Sequence, residues 1–567
     1  MRASRLTTMN ETPGARRLRL ATPARLLVAA MGLFSCTSVS ETTVKDRSVV
    51  DDGAPNPSVV KEASDSSVTA TGWRGAPPDR GHLGVLAEAY VPPVSTPQAP
   101  WAKESIHPIR WEIPTDLGEL DIAVTLEASY DSGATWTFVS DDYTAGKRTL
   151  WTVPNGSETH GRARIVFHRT DSAGNATILR TLETPDIPFS PSQRRDYVWT
   201  RTTAAAPFGP RDGAGGIVYG GKMWLIGGWN GDRFPLTCAN DVWSSEDGAA
   251  WTQVKPNTFL DAATFDSTAD WEGRHFAGYH AFGGKMWIVG GDPVQGYYQS
   301  DVWSSVDGVH WTRTDVHTTT PRVDAYGAPY PASEWRPVEE AQFGLRSLPI
   351  TAVFRNSLFV MGGQLVEGIV DRDWPGRPGR GFNDVWTSSN GATFTNVPTT
   401  GPMWSPRGFV SEAVEHDGRM WVVGGGLHED PAAGLPERVY HNDVWHSSDA
   451  RTWEQAPDEA PFVPRIWHNV KEYDGRIWVI NGYDGGPLGG GRIADNHADV
   501  WYSSDGSNWY EASPPPAFPG RHAGTAWVHR GALFVGSGNA MGDDVNGMGK
   551  WFADVWKLMP AAPITGN

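Results

Sequence analysis

The sequence predicts an all-β protein, a small β-sandwich followed by six tandem repeats. Three observations predict it. The tripeptide Asp-Val-Trp recurs six times, with its Trp at 243, 303, 386, 445, 501 and 556. Such self-similarity at a fixed period marks a repeat architecture. Gly 64 and Pro 43 among 567 residues favour short strands joined by turns over long helices. Ahead of the repeats, apolar residues alternate at period two: Ile122, Val124 and Leu126, then Ala163, Ile165 and Phe167.

Residues 1–35 read as an address. Arg16, Arg17, Arg19 and Arg25 precede the short apolar run 26–34, the pattern of a secretory signal. Its end, Leu33-Phe34-Ser35-Cys36, resembles the bacterial lipoprotein signal. That resemblance implies that Cys36 is lipidated and that the membrane is met only through this anchor. Thr37 stands where inner-membrane retention uses Asp, so the resemblance implies an outer-membrane or cell-surface location. An ordinary secretory signal, with a secreted product, is the alternative. Residues 36–100 are rich in Ser, Thr, Val, Asp and Pro without sustained period, and read as a disordered tether.

Residues 101–190 carry about seven short alternating runs separated by turn residues, as in an immunoglobulin- or fibronectin-like β-sandwich. Ser129-Tyr130-Asp131-Ser132-Gly133-Ala134-Thr135-Trp136 resembles an Asp-box, a structural hairpin.

Residues 195–562 hold the repeats. Before each Asp-Val-Trp runs an apolar strand ending in Gly-Gly, as in Trp224-Leu225-Ile226-Gly227-Gly228; the fifth and sixth copies degenerate to Asn481-Gly482 and Ser537-Gly538. Before that strand stands an Arg: 211, 274, 346, 407, 465 or 521. After Asp-Val-Trp, except in the last copy, come a tight turn and an aromatic, as in Ser245-Glu246-Asp247-Gly248 and Trp251. Four elements in fixed order resemble the kelch family, whose fold is a β-propeller. The resemblance implies six blades of four strands. The sixth copy lacks its last strand, and the orphan Tyr197-Val198-Trp199-Thr200-Arg201 is expected to supply it, so that no edge stays open.

Length variation is confined to the loops after Gly-Gly and before Arg, which the propeller reading puts on one face. Insertions on one face of a repeat array mark the binding face. Trp229 and Tyr297 lie in these loops. The arginines, Arg211, Arg274, Arg465 and Arg521 among them, are expected at the channel mouth on this face. They either serve the blades or hold an anion such as a carboxylate. The informative positions are those where copies differ: His275 after Arg274, His522 after Arg521, His468 in Arg465-Ile466-Trp467-His468, and Glu412. Repeats two and six flank repeat one, so His275 and His522 are expected on one side of the mouth.

The balance of Lys+Arg 48 against Asp+Glu 65, net −17, argues against nucleic acid. Two cysteines, Cys36 and Cys238, exclude a disulfide framework and a multi-cysteine metal site. No metal or cofactor site is expected. These features point to a surface-displayed binding module for a carbohydrate or a protein partner, rather than an enzyme. The alternative is a secreted carbohydrate-active enzyme resembling the kelch sugar-acid epimerases, with Arg on the carboxylate and Glu412, His275 or His522 moving protons. A galactose-oxidase-like copper site is less well matched, because Tyr279 is out of register with that family's crosslinked Tyr and Cys238 lies in a loop.

Overall fold

The computed structural model describes residues 100–562 apart from internal stretches, of which 232–237, 315–342, 366–379, 428–438, 485–495 and 541–549 are the longest. The predicted signal, Cys36 and the tether lie outside the described residues. The described chain is all-β, with no α-helix.

Six antiparallel sheets follow one another along the repeats, five of them four-stranded and the fifth with two further strands from the N-terminal region. The first comprises Gly215–Tyr219, Lys222–Ile226, Val242–Ser245 and Thr252–Lys255. The others begin with Gly278–Phe282, Ile350–Phe354, Val414–His416, Asn469–Tyr473 and Thr525–His529. These six first strands touch in sequence order, and that of the sixth sheet lies against that of the first. The fourth strand of the sixth sheet is Tyr197–Thr203, paired antiparallel with Val555–Pro560. The orphan segment therefore completes this sheet from the far end of the chain.

The repeated residues account for each sheet. The Gly-Gly pair takes left-handed backbone, for example Gly362 at φ 57° and Gly363 at φ 94°. A Cβ on Gly362 would sit 2.2 Å from the Arg407 carbonyl oxygen, so the next sheet can approach only a glycine there. Where the pair degenerates, Asn481 (φ 59°) and Ser537 (φ 55°) hold the same conformation. Apolar faces of adjacent sheets then pack together, as in the cluster of Ile217, Ile226, Met286, Ile288 and Trp303. The turn after Asp-Val-Trp is fixed by its own side chains. Ser245 Oγ accepts the Gly248 N–H at 2.8 Å, Asp247 Oδ1 accepts two further N–H groups, and the Trp251 indole donates to the Gly248 carbonyl. Asp131 in the N-terminal region works likewise; the Thr135 hydroxyl and N–H hold its carboxyl down to about 2.

The N-terminal strands form one sheet with Ala123–Ser129 and His160–Thr170 at its centre, burying Val124, Leu126, Ile165 and Phe167. The opposing ribbon departs from the expected closed sandwich. Ile106–Arg110 pairs with Arg148–Thr152 and also, at Ile106, with Trp509. The fifth sheet thus runs on into the N-terminal region and has six strands. Asn508 Oδ1 accepts the Ala102 N–H at 2.7 Å, Trp101 Nε1 donates to Asp458, and the Arg148 guanidinium donates to the carbonyls of Ala460, Pro461 and Phe462.

Candidate functional site

The six repeated arginines are fully buried at 0–2% exposure. Each forms a two-pronged ion pair with the Asp of its own Asp-Val-Trp. Arg211 Nη1 lies 2.6 Å from Asp241 Oδ1 and Nη2 3.1 Å from Oδ2; Arg521 meets Asp554 at 2.7 and 3.0 Å. Arg274–Asp301, Arg346–Asp384, Arg407–Asp443 and Arg465–Asp499 repeat the geometry. Nη1 also donates to the first residue of the Gly-Gly position, at 2.8 Å for Arg211 to Gly227 and 2.6 Å for Arg521 to Ser537. The Trp of Asp-Val-Trp completes the set, its indole donating to Asp Oδ2 at 2.9 Å for Trp243 and 2.7 Å for Trp556. Burial pushes the Asp301 carboxyl up, and the Arg274 guanidinium more than reverses it. Of the two readings of the arginines, this geometry fits service to the sheet, and the assignment of Arg211, Arg274, Arg465 and Arg521 as anion ligands needs correction. Arg211, Arg274, Arg465 and Arg521 present no open guanidinium face at the mouth, because each is spent inside its sheet.

Two residues beyond each arginine lies a second repeated feature that no shared residue type announces. Gly213, Phe276, Leu348, Phe409, Trp467 and Ala523 all have left-handed backbone, with φ from 45° to 64°. This conformation turns their N–H and C=O groups along the ring. Gly213 N–H donates to Ala523, Phe276 to Gly213, Phe409 to Leu348, Trp467 to Phe409 and Ala523 to Trp467. Four of the side chains are large and converge across the mouth. Trp467 stacks on Phe276 from the opposite side of the ring, with centroids 6.0 Å apart and planes 12° apart. It also meets Phe409, Tyr483 and His522.

One residue beyond the arginine is a variable position, and in the first, fourth, fifth and sixth sheets it is bonded in pairs to the residue after the Gly-Gly position. Asp212 pairs this way with Trp229, Ile466 with Tyr483, and His522 with Asn539. These short ladders fix the side chains at the mouth. Trp229 lies 4.6 Å from Trp551 and 6.1 Å from His275. His522 Nδ1 sits 2.6 Å from Asn496 Oδ1, and Nε2 lies 3.9 Å from Asp212 Oδ2. Burial, reinforced by His275, pulls the His522 imidazole down to about 3. Asp212, His275 and His522 are each 1–2% exposed, while Trp229, Trp467 and Trp551 are partly open. The structure thus places His275 near His522, with Asp212 beside His522.

Beneath the aromatic residues the first strands enclose a cavity of about 60 Å³, room for about four waters. Glu412 lies just ahead of the fourth sheet's first strand and pairs with Lys471 at 2.8 Å inside this cavity; His280 Nδ1 is 4.0 Å from its other oxygen. His468 is buried against the fourth sheet, its Nε2 donating to the Val423 carbonyl at 3.0 Å, and burial holds its imidazole at about 3. Glu412 and His468 therefore do not join the Asp212 cluster. Tyr297 opens the third strand of the second sheet, opposite Val294; its side chain falls outside the described residues. Sequence reasoning missed Asp212, Asn539 and the centrality of Trp467. Their signal was position, one or two residues after the arginine or one after Gly-Gly. Among the described residues no group of His, Cys, Asp and Glu is arranged to hold a metal ion. No family model matches the chain, and no curated protein matches it.

Proposed function

We propose that the six sheets are the blades of a kelch-type β-propeller and that the protein is a binding module. Its long-loop face would hold a carbohydrate or a protein partner. One observation carries this reading. Residues common to the copies are consumed by architecture, whereas residues that differ between copies gather at one side of the mouth. Asp212, His275, Trp467 and His522 are such residues, ringed by Trp229, Tyr483 and Trp551. Large aromatics with a few placed polar groups are the usual makeup of a ligand site. The ring of cyclic strand contacts and the closing strand Tyr197–Thr203 support the propeller assignment.

The test is a glycan and protein-partner array probed with the full-length protein and with Trp229→Ala/Trp551→Ala. Binding by the wild type that the double variant loses, and that Trp136→Ala in the N-terminal region keeps, supports the reading. Binding indifferent to the double variant refutes it. The N-terminal sequence supports display from the cell envelope through Cys36. Cys36→Ser in the native host then moves the protein from the membrane to the soluble fraction; an unchanged distribution refutes the anchor.

A further inference from the structure

We infer that the cavity beneath the aromatic residues is a second binding site, for a small zwitterion of the α-amino-acid class. The ligand's carboxylate would sit on Lys471 and its ammonium on Glu412. This site is separate from the long-loop face and does not depend on a ligand there. Three observations lead to it.

The first is a departure in the fourth sheet. Its first strand ends one residue later after the repeated arginine, at His416 after Arg407, than its counterparts do, at Tyr219 after Arg211 and at Tyr473 after Arg465. An extra residue bends a strand and re-aims a side chain. The ladder to the second strand shortens to Val414–His416, and the residues just before it bond sideways. Ser411 N–H donates to the His468 carbonyl at 3.2 Å, and Ala413 N–H to the Thr351 carbonyl at 2.9 Å. Glu412, between them, reaches the fifth sheet's Lys471 at 2.8 Å and comes within 4.0 Å of the second sheet's His280.

The second is the placement of charge. Counted from the arginine, Lys471 stands where the first, third and sixth sheets have Ile217, Ala352 and Trp527, so the architecture is served there by apolar residues. A buried ion pair adds little stability over apolar groups of similar volume. The pair is nevertheless present, and both side chains line the cavity with 14–16% exposure. Lys471 gives one N–H to Glu412 Oε1 and has further ammonium protons. Glu412 Oε2 has His280 beside it, whose imidazole burial pulls down to about 4 and so leaves neutral at pH 7. His468 lines the same cavity; with its Nε2 proton on the Val423 carbonyl, the neutral ring keeps an acceptor at Nδ1 that is buried without a partner.

The third is size and wall. A cavity of about 60 Å³, room for about four waters, is on the scale of the smallest amino acids. Phe276, Phe409 and Trp467 line it, and aromatic faces favour an ammonium. A lone carboxylate drawn to Lys471 meets the charge of Glu412, and a lone amine drawn to Glu412 meets that of Lys471. A zwitterion laid antiparallel across the pair makes a charge-assisted hydrogen bond to each.

The experiment is calorimetric titration of the full-length protein with glycine, L-alanine, acetate, methylamine and L-tryptophan. Glycine or alanine is expected to bind, with acetate, methylamine and tryptophan each tenfold or more weaker. Glu412→Gln, which leaves Lys471 its charge, is expected to weaken the amino acid tenfold and to raise acetate above it. Lys471→Met is expected to weaken it equally and to raise methylamine above it. Acetate, methylamine or tryptophan binding wild type as tightly as glycine and alanine overturns the inference, and so does absence of binding by both small amino acids. Amino-acid affinity unchanged in folded Glu412→Gln and Lys471→Met overturns it as well. If either variant fails to fold, the wild-type ranking of the five ligands decides.

Discussion

Deleting one repeated arginine measures whether these residues belong to the sheets. Arg274→Ala removes hydrogen bonds to both Asp301 oxygens, to the Gly290 carbonyl and to the Glu272 carbonyl. It strands a carboxylate that is 5% exposed, with the Trp303 indole at 2.6 Å still donating. Breaking a buried ion pair from one side costs about 3–5 kcal/mol. With unfolding entropy near 2.1 cal/mol/K per residue over roughly 460 residues, that corresponds to a fall in Tm of about 3–5 °C. Because the geometry repeats, Arg521→Ala and Arg407→Ala should lose the same amount within about 1 kcal/mol. The loss is also pH-dependent, with a defined sign. Without Arg274, burial is opposed only by Arg313 and the Trp303 indole, and the Asp301 carboxyl should rise above its unfolded value. The variant then takes up a proton on folding, so its stability rises as pH falls from 7 toward 4, and the gap to wild type narrows. Urea unfolding at pH 7 and pH 4.5 reads both effects. Arg274→Met/Asp301→Leu, which replaces the pair by apolar groups, should recover most of the loss. Wild-type melting of Arg274→Ala and Arg521→Ala, beside a destabilised Arg407→Ala, would refute the shared architectural role.

Other outcomes follow from single features. Buried His107, His280, His468 and His522 are held at about 3, 4, 3 and 3 by desolvation. Stability they leave intact above pH 6.5 should drain away as pH falls below it, each uncoupled proton adding a slope of about 1.4 kcal/mol per pH unit; a flat urea midpoint between pH 6.5 and 5 would contradict this. Gly418→Ala, at φ 68° with open space around the added methyl, should cost only about 1 kcal/mol, the left-handed penalty. Gly362→Ala, which also meets the Arg407 carbonyl, should cost several times more, and equal urea midpoints would refute the close-approach argument. A chain starting at residue 205 lacks the partner of Val555–Pro560 and should aggregate through that open edge; a soluble monomer with unchanged Tm would show that the strand is dispensable. Asn508→Ala removes the acceptor of Ala102 N–H and should loosen the N-terminal region, seen as faster proteolysis within 190–196.

Much of the fold could be read from the chain because its determinants recur. Gly-Gly, Asp-Val-Trp and Ser-x-Asp-Gly each impose a local geometry, and six copies make the pattern visible. The arginines show how one signal carries two readings. An Arg and an Asp recur together in every copy, which already described a pair within the sheet, yet the Arg alone suggests an anion site. The left-handed ring was illegible for the opposite reason. Gly213, Phe276, Leu348, Phe409, Trp467 and Ala523 share a backbone conformation set by neighbouring sheets and share no chemistry. The extension of the fifth sheet was equally hidden. Alternation announces that Ile106–Arg110 is a strand, but nothing local names Trp509 as its neighbour.

That extension decides how the molecule bears load. The chain leaving the N-terminal region enters Tyr197–Thr203, a strand whose backbone ladder runs along one edge, to Val555–Pro560. A strand pulled from its end would peel one hydrogen bond at a time. A pull arriving from the N-terminal side, however, reaches Trp101, Ile106 and Arg148 first, where the ribbon is sewn to Asn508, Trp509 and the carbonyls of 460–462. Tyr502 and Tyr510 then grip the connecting segment, the Tyr510 hydroxyl accepting Gln193 N–H and the Tyr502 hydroxyl bonding both N–H and C=O of Arg195. Tension from that side would therefore load the flank of the fifth sheet before it reached the closing strand of the sixth.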